Sequence, residues 1–174
     1  PRFADARGYL SVTFDKSALM ASGIDADFVQ DNQSLSRTAG TVRGLHFQTP
    51  PAAQPKLLRV LQGSVFDVAV DIRRGSATYG HHVAAELSAE NGRQIWIPAG
   101  FAHGFMTLEQ DTIVHYKMGA PYSPEHEAGL LWNDPGLGID WPLPIEQAVT
   151  SDRDREWPTF SDYDSPFDLE GVAP

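Results

Sequence analysis

From Leu57 onward the chain alternates short apolar runs with glycine- and proline-bearing breaks. Leu57–Leu61 is a compact apolar run closed by Gln62-Gly63. Phe66, Val68, Val70 and Ile72 then alternate with Asp67, Ala69 and Asp71. Side chains on a strand point to opposite faces in turn, so this period of two predicts a strand with one buried face. Gly75–Gly80 interrupts it and His82–Leu87 resumes an extended pattern. Glu90-Asn91-Gly92 carries a hairpin signal, because Asn-Gly tolerates the positive φ of a tight turn. Gln94–Ile97 predicts the next strand, and Phe101–Leu108 with Thr112–Met118 predicts a further pair across Glu109–Asp111. Five or more strands at intervals of roughly 8–12 residues predict a sandwich or small barrel. One short helix fits Ala18–Asp27, and a turn of helix fits Ser151–Glu156 or Ser161–Asp168. After Tyr122, prolines 124, 135, 142, 144 and 158 punctuate an irregular stretch. It is expected to wrap the β core, anchored by Trp132, Trp141, Trp157 and Phe167. The expectation is one domain over 1–174, with a β core at about 28–122 and the extension at about 123–174.

Composition narrows the chemistry. With 41% hydrophobic residues the chain can bury a core. It has no cysteine, which excludes a disulfide scaffold, a thiolate nucleophile and a Cys-ligated metal. Catalysis is left to His, carboxylates, Lys or Tyr. No window approaches the ~20 apolar residues that span a membrane, and no signal-like segment opens the chain. A cytoplasmic protein without a membrane partner is therefore expected. The net charge of −10 is unevenly held. Residues 1–124 carry 11 basic and 11 acidic side chains, whereas 125–174 carry 12 acidic residues against Arg153 and Arg155. This is no footprint for nucleic acid, and the acidic end reads as a solvated tail.

Six histidines stand at 46, 81, 82, 103, 115 and 126. The His-x-His-plus-carboxylate spacing of a β-barrel metal site is missing around His46, and adjacent His81-His82 would point to opposite strand faces. His46 and His103 each lie beside a glycine that lets a ligand approach the backbone. Arg43, His46 and Lys56 together would set two fixed cations and a titratable base in one barrel mouth, suited to an anionic substrate and proton transfer. Tyr116, on an alternating strand, is a candidate acid or a core-filling side chain. From these residues alone the chain is a β-barrel with a possible cationic pocket.

Longer motifs carry more. Arg43-Gly44-Leu45-His46-Phe47-Gln48, Gly63–Val68, Val70–Arg73, Ile97–Phe105 and Tyr122–Glu127 resemble the dTDP-4-dehydrorhamnose 3,5-epimerase family. Trp132–Pro135, Ile139–Pro142 and Ser151–Asp154 continue the match in order. The resemblance implies an all-β, cupin-type jelly roll with a short helical N-terminal segment and an irregular C-terminal extension. It further implies a homodimer that needs no metal or other cofactor and acts on a dTDP-4-keto-6-deoxy sugar.

In such an enzyme protons leave C3 and C5, next to the C4 ketone, and return from the opposite ring face. The resemblance implies His46 as base with Asp154 as its partner, Tyr116 as acid and Lys56 at the enolate oxygen. Arg43 and His103 resemble sugar- or phosphate-contacting positions, and Gln30 and Asn32 resemble the family's Gln-x-Asn at the nucleotide sugar. Arg7, Tyr122 and Glu127 would contribute to nucleotide binding, Tyr122 as a base-stacking surface. Leu10 and Val12 stand where the family often carries a Phe and a Glu, and Pro121 where a second Tyr is common. The sequence opens at Pro1, with less before Arg7 than the family usually has, so altered dimer contacts are expected. A one-carbon epimerase, a metal-dependent cupin enzyme and a non-catalytic sugar-nucleotide binder remain the alternatives.

Overall fold

The computed structural model describes residues 1–169. A small hairpin of β1 (Phe3–Asp5) and β2 (Gly8–Leu10) precedes helix α1 (Lys16–Ala21). Eight strands follow: β3 (Gln30–Ser36), β4 (Val42–Gln48), β5 (Lys56–Gln62), β6 (Ser64–Asp71), β7 (His82–Ser88), β8 (Gln94–Ile97), β9 (Phe101–Thr107) and β10 (Thr112–Met118). The C-terminal stretch adds β11 (Glu127–Gly129) and helix α2 (Asp152–Glu156).

These strands form two facing antiparallel sheets, β3-β10-β5-β8 and β11-β4-β9-β6-β7. The pairs β3·β10, β4·β9, β5·β8 and β6·β7 are nested, as in one long hairpin folded across both sheets. That is the jelly-roll arrangement, cupin-like in form. The short turns therefore do something the turn residues did not disclose. Gly63 joins β5 to β6, Asn91-Gly92 joins β7 to β8 and Asp111 joins β9 to β10, and each hands the chain to the other sheet. The expected hairpin at Asn91-Gly92 and the expected pairing across Glu109–Asp111 are corrected accordingly. Turn chemistry specifies a reversal, not which neighbour the returning strand takes. Helix α1 also begins earlier than expected and is shorter. Asp15 caps it by accepting from the backbone N–H of Ser17 and Ala18, and Ser22-Gly23 ends it.

The strand at β6 is buried on both faces rather than one. Val65 and Ala69 point between the sheets, against Leu58, Val60, Phe105 and Val114. Val68, Val70 and Ile72 point outward, where Leu130, Leu137 and Phe167 of the C-terminal stretch cover them. Trp132 packs likewise on Val42 and Met106. The wrapping extension thus turns a two-layer sandwich into a three-layer one. With the valine face covered from outside, Asp67 falls on the opposite face, between the sheets, and is wholly buried, although pattern alone assigns this alternate position to the face away from the apolar set.

Candidate active site

The open mouth between the sheets is a cavity of about 510 Å³, within the range of small-molecule sites. The five-stranded sheet supplies Arg43, His46, His103, Phe105 and Glu127, and the four-stranded sheet supplies Lys56, Tyr116 and Met118. The C-terminal stretch closes one side with Thr150, Ser151, Arg153 and Asp154.

Arg43 and His46 are three residues apart, so a regular strand would aim them at opposite faces. The register of β4 against β9 shifts between them, so that Arg43 opposes Phe105 and His46 opposes His103. This bulge brings both side chains to the cavity. It depends on Gly44, whose φ is +137°. A Cβ there would stand 2.5 Å from the Cα of Gly104 and 2.8 Å from the carbonyl oxygen of His103.

His46 is half-buried, and its Nε2 lies 2.5 Å from Oδ1 of Asp154. Asp154 sits in the first turn of α2, where its own N–H donates to the hydroxyl of Ser151. Burial pushes the Asp154 carboxyl up. Hydrogen bonds from His46, Ser151 and the Gly44 amide, with the pull of the His46 charge, outweigh burial and hold it below the ordinary range. Across the cavity, Lys56 donates to the carbonyl of His46 at 3.2 Å. Burial pushes this ammonium down to about 8, although Asp67 and Glu127 act to raise it. Tyr116 pairs in register with Leu58 and Asn32, which sets it on the sheet opposite His46. A base and an acid on opposite walls, with a buried cation between them, can move protons onto and off the two faces of a flat intermediate.

Behind the His46–His103 pair lies a second carboxylate. Asp67 is wholly buried and accepts from Nε2 of buried His103, at 3.0 and 3.1 Å. Burial holds the imidazolium of His103 below its usual range, Asp67 pulls it up, and Lys56 and His46 push it further down.

Of the residues named from the sequence, Arg43, His46, Lys56, His103, Tyr116, Glu127 and Asp154 line this one cavity. Gln30 and Asn32 lie at its edge, on the same sheet face as Met118 and Tyr116. Nε2 of Gln30 donates to Asn32 at 2.8 Å, and its Oε1 accepts from the backbone N–H of Tyr122. The exposed Tyr122 donates its hydroxyl to Glu127 at 2.5 Å. Arg7 is not brought in. It lies in the β1–β2 turn with a 90% exposed side chain, paired with Asp5.

Arg153 and Asp67 are site residues that sequence reasoning passed over. Arg153 bonds Glu127 at 2.8 Å and stacks its guanidinium 5.1 Å from the ring of Trp157. The turn of helix expected at Ser151–Glu156 forms as α2, and its Ser151-x-x-Asp154 start pattern could have brought Arg153 into the site along with Asp154. Nothing local marks Asp67. Among the described residues no three His, Asp or Glu side chains gather in a metal-binding arrangement. No helix among them is long and apolar enough to cross a membrane.

The model of a family described as dTDP-4-dehydrorhamnose 3,5-epimerase matches residues 1–162. A protein of that name from Sinorhizobium fredii is 55% identical over 158 residues, covering 91% of this chain and 80% of its own. The crystal structure of dTDP-4-dehydrorhamnose 3,5-epimerase from Bacillus anthracis, with TDP and PPi bound, is 47% identical with a TM-score of 0.89, covering 91% of this chain and 90% of that one. A dTDP-6-deoxy-D-glucose-3,5-epimerase from Legionella pneumophila, in complex with dTDP-4-keto-L-rhamnose, is 45% identical with a TM-score of 0.89, covering 94% and 86%. With whole-length similarity of this kind in sequence and in fold, the chain belongs to the dTDP-4-dehydrorhamnose 3,5-epimerase family.

Proposed function

We propose that this isomerase converts dTDP-4-dehydro-6-deoxy-D-glucose to dTDP-4-dehydro-L-rhamnose by inverting C3 and C5, with His46 and Tyr116 moving the protons. The observation that carries the reading is the His46–Asp154 pair on one wall of the cavity, with Lys56 and Tyr116 on the other. A proton on a carbon next to a ketone is acidic only if the enolate charge is held. His46 takes the C–H proton at Nδ1, since Nε2 is engaged by Asp154. The C–H electron pair forms the C=C bond while the C4 carbonyl becomes an enolate oxygen, and the Lys56 ammonium holds it. The Tyr116 phenol then gives its proton to the same carbon from the opposite face, and the carbonyl re-forms. His46 releases its proton to water and Tyr116 regains one, so the cycle can repeat at the second carbon.

Asp154 stabilises the imidazolium formed at His46 and fixes its tautomer. Arg43 and Arg153 offer guanidinium groups suited to diphosphate oxygens. His103 contacts the sugar, Gln30 and Asn32 the nucleotide sugar, and Tyr122, steadied by Glu127, stacks on the base. Within this chain Arg7 faces solvent and Asp5 rather than the cavity. The reading includes a homodimer working in the cytoplasm, which the absence of cysteine suits.

His46→Ala tests the base. In D2O the variant is expected to lose deuterium exchange into the substrate by roughly 10²–10⁴-fold. Undiminished exchange would overturn the assignment.

A further inference from the structure

Resting on that reading of the site, we propose that Asp67 is a positioning residue. Held at Nε2 of His103, it fixes the ring so that Nδ1 is presented to the cavity as a hydrogen-bond acceptor for a sugar hydroxyl.

The placement argues for a built device. Asp67 lies on β6 between Val65 and Ala69, a line of side chains that otherwise packs the apolar interior. A carboxylate with no exposed surface is costly unless it is bonded. Its bonded side-chain partner among the described residues is His103, through both oxygens. Register explains the meeting, since Ala69 and Asp67 oppose His103 and Phe105 on β9. An imidazole that donates from Nε2 to a carboxylate is, when neutral, unprotonated at Nδ1. His103 lines the cavity, and Nδ1 is without a protein partner among the described residues. The groups facing the ring favour, on balance, its neutral form. Burial disfavours its cation, Lys56 on β5 and His46 on β4 repel it, and Asp67 on β6 alone favours it. A neutral acceptor matches a hydroxyl donor on the hexose rather than a phosphate oxygen, which has no proton to give.

The two histidines thus differ in task while sharing a geometry. Each has Nε2 on a carboxylate and opposes the other across β4 and β9. His46 is open enough to pass a proton to water, with 31% of its side chain exposed against 7% for His103.

The test is nitrogen NMR on the full-length protein labelled at histidine, with kinetics of Asp67→Asn beside it. The wild type is expected to show His103 neutral and protonated on Nε2. In Asp67→Asn the amide can donate to Nε2, moving the proton to Nδ1. kcat/KM is then expected to fall on the order of 10–100-fold, as when the partner that orients a metal-ligating histidine is lost. In a His103→Ala background the same substitution should cost little further activity. A wild-type His103 protonated on Nδ1 overturns the proposal, as does a loss from Asp67→Asn of equal size without His103, which would mark a merely structural role. Should Asp67→Asn not fold, the wild-type spectrum still decides. The spectrum needs no substrate, so it can fail while His46 passes its exchange test, and the reverse.

Discussion

Lys56 is the side chain on which the proposed chemistry turns most sharply with pH. It heads β5 beneath the cavity, and burial has brought its ammonium down to about 8, Asp67 and Glu127 opposing the shift. Only the charged form can hold an enolate oxygen. The kcat/KM of the free enzyme is therefore expected to decline as pH rises through this value, and a pH–rate profile from 6 to 10 measures that limb. A profile flat to pH 10 would remove Lys56 from the role. The sign for stability is opposite. Between about 8 and the ordinary lysine value of 10.5 the unfolded chain holds a proton the folded chain has released, so the contribution of Lys56 to stability rises with pH across that window. At this scale the sequence was informative wherever a residue is chemically conspicuous. His46, Lys56, Tyr116 and Asp154 all meet at one cavity. Asp67 was not legible, because an acid alternating with valines reads as a solvent-facing strand position until the extension covers the other side of the sheet.

At the scale of elements the site depends on the bulge in β4. Arg43 and His46 share the cavity only because an extra residue is accommodated between them. Gly44→Ala combines a disfavoured φ with an overlap onto the backbone of Gly104. It is expected to cost roughly 2–5 kcal/mol. In a chain of this size that lowers the melting temperature by roughly 5–15 °C. Gly75→Ala shares a positive φ but meets nothing within 4 Å, so its loss should be distinctly smaller in the same calorimetric scan. Equal losses would show that backbone conformation, not the close approach of β4 and β9, is what glycine supplies. Most strands were legible as alternating runs, because period two is a local property. Their partners were not. Asn91-Gly92 makes the same reversal whether β8 returns beside β7 or crosses to β5, and burial of the whole core decides.

For the whole molecule, the net charge of −10 hides a division of labour. The acidic C-terminal stretch is not a solvated tail throughout. Asp134 is buried and accepts from the backbone of Gly136 and Phe160, Asp164 and Asp168 pair with Arg74, and Asp154 enters the site. Glu127 also lines the cavity, and the described remainder, such as Glu146, is exposed. Exposed charges farther than ~8–10 Å from a ligand are largely screened at physiological salt. Glu146→Gln is accordingly expected to leave KM within about twofold, whereas raising NaCl from 0.05 to 0.5 M should raise KM several-fold with kcat nearly constant. Steady-state kinetics over that salt range checks both, and a falling kcat would show that more than binding is affected. Inversion of two carbons by one base and one acid across a single cavity is the activity proposed. Its most direct test is NMR of the product formed in D2O by the wild-type protein. Deuterium at both C3 and C5 is the result predicted, and label at one of these carbons alone would contradict it.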